Sequence, residues 1–235
     1  KLQLACFERL GAPGWQALAD ATAAAHEAGL LVIADGKRGD VPHTAAAYGQ
    51  ALLGETPTPW GGVEGLGADA VTANPLLGRD ALEPLVDAAR SAGAGTFVLV
   101  RSSNPGAAEL QDAGGTGASL HERLARLTDE VGTDGIGQCG LSDVGAVVPA
   151  TQPNLLARLR ELMPRTIFLL AGVGAQGGRV EDLSQAFLPG PAAALVTASR
   201  SIADAGLEQA RAGEQADAVR SVTERLREIT WALTG

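Results

Sequence analysis

Lysine occurs only at Lys1 and Lys37 in this 235-residue chain, against sixteen arginines. The second lysine lies in Asp35-x-Lys37-x-x-Asp40. Arginine keeps its proton at any working pH, whereas a lysine ammonium can give one up. Carboxylates on both sides of Lys37 would hold such an ammonium in place, ready to deliver its proton to a reacting centre. The same spacing also describes a solvated ion cluster on a loop. Position favours chemistry: an apolar run over 30–34 delivers the motif to a strand end, where α/β enzymes keep their reacting groups.

A second candidate reads Ala171-Gly172-Val173-Gly174-Ala175-Gln176-Gly177-Gly178. Glycine-rich turns after a strand let backbone N–H groups approach a phosphate closely. The segment also fits the dinucleotide pattern G-x-G-x-x-G. It lies late in the chain, however, and the next strand ends in Ser199-Arg200, not in the acidic residue that binds a ribose hydroxyl. Arg200, at the end of that strand, is placed to clamp the phosphate that the glycines approach. A third string, Arg101-Ser102-Ser103-Asn104-Pro105-Gly106, offers hydroxyls and an amide to a polar ring edge, or is a serine/proline turn. His26 falls within a predicted helix and reads as structural; His43 follows the lysine motif and is given no catalytic role.

The elements that position these groups alternate. Strands are predicted at 2–7, 30–34, 68–73, 96–100, 144–148, 166–170 and 193–197. Helices are predicted at 15–28, 44–53, 79–92, 118–131, 154–162, 179–187 and 207–232. Seven strand–helix repeats predict a parallel sheet with right-handed crossovers. The pattern is one unit short of a (β/α)₈ TIM barrel, and the expectation is an α/β barrel, a single domain over 1–235, whose first strand and helix are absent from this chain. An open doubly wound sheet is the rival arrangement. Two long loops, 54–67 and 102–117, interrupt the pattern and read as lids or insertions.

Composition narrows the function. The chain is 46% apolar but only 3% aromatic, so its core rests on Ala, Leu and Val. A net charge of −9 argues against nucleic acid or an anionic membrane as the main partner. No apolar run is long enough to span a bilayer. Two cysteines make no disulfide framework, which fits a cytoplasmic setting.

Taken in order, the strand-end motifs resemble orotidine 5′-phosphate decarboxylase, in its longer bacterial subgroup. Asp35-x-Lys37-x-x-Asp40-Val41-x-x-Thr44 is similar to the family's D-x-K-x-x-D-I-x-x-T. Ser103-Asn104-Pro105-Gly106 resembles its pyrimidine-reading turn, Gly172 to Gly178 its phosphate loop, and Ser199-Arg200-x-Ile202 its last phosphate contact. Lys1 falls where the family carries the first lysine of a Lys-Asp-Lys-Asp array. Val41 stands for the usual Ile, and Ala171 stands where Pro is frequent.

The resemblance implies decarboxylation of orotidine 5′-phosphate with no metal or other cofactor. Lys1, Asp35, Lys37 and Asp40 would be the catalytic array. Val41, Thr44, Ser103, Gly172, Gly174, Gln176, Gly177 and Arg200 would bind substrate. Asp40, Val41 and Thr44 would reach a neighbouring subunit's pocket, making a homodimer with shared active sites. Two rivals share these motifs: a Mg²⁺-dependent sugar-phosphate lyase of the same superfamily, and a non-catalytic barrel that binds a phosphate ligand. An ammonium at Lys1 would repel the metal. A Schiff-base aldolase needs a neutral amine, which the flanking carboxylates oppose.

Overall fold

Buried strands flanked by helices account for most of this computed structural model, which describes residues 1–209 and 211–234. These pack as two units, Lys1–Leu99 with Glu130–Gly145, and Val100–Asp129 with Ala146–Gly235.

The first unit runs β1 (Leu2–Gln3), α1 (Leu4–Glu8), α2 (Ala12–Glu27), β2 (Ile33–Arg38), α3 (Pro42–Leu52), β3 (Glu55–Thr58), β4 (Gly61–Glu64), β5 (Ala70–Ala73), α4 (Arg79–Ser91) and β6 (Gly95–Leu99). Its parallel order is β1-β2-β5-β6. The register pairs Gln3 with Asp35 and Ala34 with Val71. In α4 the buried residues Ala81, Leu82, Leu85, Val86 and Ala89 recur at helical spacing and form one apolar stripe. Val71, Ala73 and Val98 bury the strands of the same unit.

Three expectations need correction here. The run 2–7 is a strand for two residues only. The N–H groups of Arg9, Leu10 and Gly11 donate back to Ala5, Phe7 and Glu8, which winds the chain into a helical turn before α2. The strand expected at 30–34 begins at Ile33 and continues through the lysine motif to Arg38. Its start is delayed because the Asp69 carboxylate, not a strand carbonyl, takes the Val32 N–H at 2.7 Å. The loop 54–67 folds into the antiparallel hairpin β3–β4, with Trp60 at its tip 92% exposed.

The second unit carries α5 (Ala107–Gln111), most of α6 (Leu120–Val131), most of β7 (Val144–Pro149), α7 (Leu156–Leu162), β8 (Phe168–Ala171), β9 (Ala194–Val196), α8 (Arg200–Leu207) and α9 (Ala212–Ala232). Strands β7-β8-β9 are parallel neighbours, with Ala146 opposite Phe168 and Phe168 opposite Ala194. Val148, Leu156, Leu159, Met163, Phe168, Leu170 and Leu183 fill its core.

The helix predicted at 179–187 is two 3₁₀ turns, Val180–Asp182 and Ser184–Phe187. The proline-rich stretch from 188 to 191 leaves no room to continue a helix. The helix predicted at 207–232 is divided: α8 begins directly after β9 at Arg200, and α9 begins at Ala212. Ala210, inside that prediction, lies outside the described residues. Among the described residues no helix is long and apolar enough to cross a membrane.

Candidate active site

Asp35 is buried in β2 and collects three side-chain donors. Lys1 Nζ donates to its Oδ2 at 2.5 Å, Lys37 Nζ to its Oδ1 at 2.7 Å, and the Thr72 hydroxyl to the same Oδ1 at 3.0 Å. Parallel pairing of β1 with β2 puts Lys1 within reach, and pairing of β2 with β5 supplies Thr72. Burial pushes the Asp35 carboxyl up. The hydrogen bond and charge of Lys1, then those of Lys37, outweigh burial and hold it below its ordinary value. Asp35 is therefore a carboxylate at neutral pH, with an ammonium on each oxygen.

Lys37 has φ +47°, and it is the only non-glycine among the described residues with positive φ. Side chains in this left-handed region cost about 1–3 kcal/mol and tend to mark functional sites. Two residues on, Gly39 passes so close to β5 that a Cβ there would lie 2.4 Å from the Asn74 carbonyl oxygen. Asn74 N–H donates to the Arg38 carbonyl at 2.7 Å, closing the end of the strand pair.

Lys37 is held on one side only, not between two carboxylates as the motif suggests. The Asp40 Oδ1 accepts the Val41 backbone N–H at 2.7 Å, and no bond joins Asp40 to Lys37. Val41 precedes α3 and is 53% exposed; Thr44 lies in the first turn of that helix. His26 bonds Asp69 at 2.9 Å, the structural role expected of it. His43 lies exposed in α3. The sequence reading leaves the strand end Val71-Thr72-Ala73-Asn74-Pro75 open between a polar contact and a turn and gives Thr72 no role of its own, because a threonine in an apolar β-run looks like a β-branched core residue.

The second unit holds the other candidates. After β8 the chain turns through Gly172, Gly174 and Gly177, all at positive φ. Gly172 is required twice over: its φ is +98°, and a Cβ would lie 2.9 Å from Ser103 Cβ. The loop closes on itself, with Gly177 N–H donating to Gly174 O at 2.7 Å and Gly178 N–H to Gly172 O at 3.0 Å. The Gly174 N–H is likewise spent on Gly178 O at 3.0 Å. The N–H groups of Gly174, Gly177 and Gly178 are thus all turned inward on the loop itself. Ser103 Oγ donates to Gln176 Oε1 at 2.6 Å, joining the serine turn to the glycine loop. Arg200 opens α8, is exposed, and forms no ion pair among the described residues.

The loop 102–117 is fixed by a network that the sequence did not announce. The buried Arg101 forks onto Asp112 at 3.1 and 2.9 Å and donates to Ser102 O at 2.5 Å. Gln111 Oε1 accepts the Ser102 N–H at 2.8 Å. Ser103 is thus presented from a braced turn. Among the described residues no three His, Cys, Asp or Glu side chains gather as a metal-ligand set.

A curated orotidine 5'-phosphate decarboxylase of Deinococcus radiodurans is 47% identical over 223 residues, covering 94% of this chain and 76% of the relative. The curated enzyme of that name from Rhodopirellula baltica is 41% identical over 236 residues, covering 97% of this chain and 76% of the relative. The solved structure of Leishmania donovani OMP decarboxylase matches with a TM-score of 0.73 and 31% identity, over 97% of this chain and 79% of that one. The fold is accordingly of the α/β, (β/α)₈-barrel class. The profile of the family described as Orotidine 5'-phosphate decarboxylase / HUMPS matches residues 1–216, and the chain belongs to that family.

Proposed function

We propose that the chain decarboxylates orotidine 5′-phosphate to uridine 5′-phosphate, with Lys37 as the proton donor. The observation that carries this reading is the pair of ammonium groups on the buried carboxylate of Asp35. Loss of CO₂ from C6 of the pyrimidine leaves the bonding electron pair on that carbon. Lys37 stabilises the developing carbanion and then transfers an Nζ proton to it. Asp35, fixed as an anion, stands against the substrate carboxylate, and that like-charge contact eases as neutral CO₂ departs. Lys1 keeps Asp35 charged and placed.

The glycine loop, Gln176 and Arg200 take the 5′-phosphate, whose binding energy is realised in the transition state. A glycine-rich turn with positive φ at Gly172, Gly174 and Gly177, with the first turn of α8, suits an anion. Ser103, held by Gln176, meets the pyrimidine edge. A Mg²⁺-dependent sugar-phosphate reaction fits less well, because the Lys1 ammonium sits 2.5 Å from the carboxylate that a metal would need.

Asp40, Val41 and Thr44 complete a partner subunit's pocket in this reading, which makes the working unit a homodimer. In support, Asp40 does not reach Lys37 of its own chain. Mixing the inactive variants Lys37→Ala and Asp40→Ala should restore activity once subunits exchange; confirmed exchange without activity would confine Asp40 to its own site.

One assay tests the reaction itself: following the absorbance of orotidine 5′-phosphate with and without EDTA. Turnover that EDTA leaves unchanged is expected. Absent or EDTA-sensitive turnover would overturn the assignment.

A further inference from the structure

Lys37 occupies a backbone conformation that a lysine does not choose, so something must hold it there. The ladder between β2 and β5 is irregular between Ala34 and Arg38, and the Lys37 N–H falls in that gap. Its acceptor is a side chain: Thr72 Oγ1, at 2.8 Å. Thr72 lies in β5 and is wholly buried.

A hydroxyl has one proton. Because this one accepts from the Lys37 amide, its own proton is free to go to Asp35 Oδ1, 3.0 Å away. That oxygen also receives Lys37 Nζ at 2.7 Å. The lysine is therefore bound at both ends to one small unit, its backbone through Thr72 and its ammonium through Asp35. The bridge is directional, and a methyl group of equal size could serve neither end of it.

We propose that Thr72 is a positioning residue for the reaction, locking the left-handed turn at Lys37 so that the ammonium is aimed rather than merely present. The proposal rests on the decarboxylase reading for its kinetic consequence but not for its structural one. A side chain aimed through a strained turn loses its direction when the turn relaxes, and a misplacement of about 1 Å costs on the order of 10²-fold in rate.

The test compares two pairs of variants that differ at the hydroxyl. Thr72→Val keeps the volume and removes the oxygen; Thr72→Ser keeps the oxygen. Thr72→Ala and Thr72→Ser differ by the oxygen atom alone, so they carry the comparison if the valine variant does not fold. With orotidine 5′-phosphate as substrate, Thr72→Val and Thr72→Ala should lower kcat by about 10²-fold with KM changed by less than about threefold. Thr72→Ser should stay within about threefold of the parent kcat. A hydroxyl-free variant with near-parent kcat, a serine variant as slow as alanine, or an effect on KM alone would overturn the proposal.

Amide hydrogen exchange at Lys37 supplies a readout independent of turnover. Without the hydroxyl, that amide should exchange at least about tenfold faster, while its neighbours in β5 stay protected. If the parent protein proves inactive, the decarboxylase reading fails and exchange alone decides: equal protection of Lys37 in parent and Thr72→Val would sink the proposal.

Discussion

Asp35 in the first unit and Arg160 in the second are both buried charges, stabilised by opposite means. Asp35 is met by side chains: two ammonium groups and a hydroxyl. Arg160, in α7, is met by carbonyls. Its NH1 donates to Met163 O at 3.0 Å and Thr166 O at 2.7 Å, and its NH2 to Ala186 O at 2.6 Å and Ala193 O at 3.1 Å. The guanidinium lies 3.7 Å over the Phe168 ring, and among the described residues it forms no ion pair with a carboxylate. Burial pushes Arg160 down to about 10, yet it remains charged at neutral pH. A strongly perturbed ionisation therefore does not by itself mark a reacting group. The partners do: side chains can rearrange around a substrate, whereas carbonyls of packed backbone cannot. Arg160 ties α7 to the segments before β8 and β9; Asp35 holds two groups that chemistry could use.

The largest effect that would sharpen this contrast is at Lys37. Lys37→Ala should lower kcat by about 10²–10⁴-fold or more, the range set by general acid catalysis. Calorimetric binding of uridine 5′-phosphate should persist, because Lys37 is not among the residues proposed to take the phosphate. Lys37→Arg should fail as well, since a guanidinium releases no proton. Near-normal turnover of the arginine variant would remove the proton-donor role.

Arg160→Met should do the opposite. Removing the guanidinium that donates to four backbone carbonyls should cost about 3 kcal/mol of stability, read from chemical denaturation, while kcat of the folded protein holds. A stable but slow Arg160→Met protein would break the contrast.

Arg200→Ala comes next, with kcat/KM reduced about 10²-fold through lost charge-assisted bonds to phosphate. With the parent protein, inorganic phosphite should speed turnover of a substrate lacking its phosphate. No activation at any concentration would argue against the loop-and-arginine cradle.

The smallest effect is in pH. The Asp35 carboxyl is held below its ordinary 3.8, so the folded state binds that proton more weakly than the unfolded chain. The stability this contributes is complete above the unfolded value and disappears as pH falls through the folded one. Thermal melting of the parent should drop below about pH 4, and Asp35→Asn should show a shallower acid limb. Parallel acid limbs would mean that the two ammonium groups do not govern Asp35 in solution.

How much of this the sequence disclosed depends on the kind of signal each residue carries. Asp35 and Lys37 were legible because their types and spacing are rare in a chain that otherwise uses arginine. Lys1 came from the resemblance, and its pairing needed the β1–β2 register. The strand β2 was misplaced because polar residues interrupt its apolar pattern, while its backbone bonds are made through Thr72 and Asn74. The roles of Thr72 and Arg160 were invisible for a shared reason. One looks like any β-branched strand residue and the other like any surface arginine of a helix, and only tertiary contacts separate them from that background. The alternation of strands and helices was plain, whereas the 3₁₀ turns near Phe187 were not, since i→i−3 turns share the composition of short helices.

The placement of both lysines against Asp35 has a consequence for chemical labelling. Within residues 1–235 every ε-amine belongs to this one cluster, so an amine-selective acylating reagent cannot spread over the surface of the chain as it does on most proteins. The extent of ε-amine acylation becomes a direct gauge of whether Asp35 still holds its two partners, and cyanate formed in aged urea, by carbamylating them, would strike the heart of the cluster first.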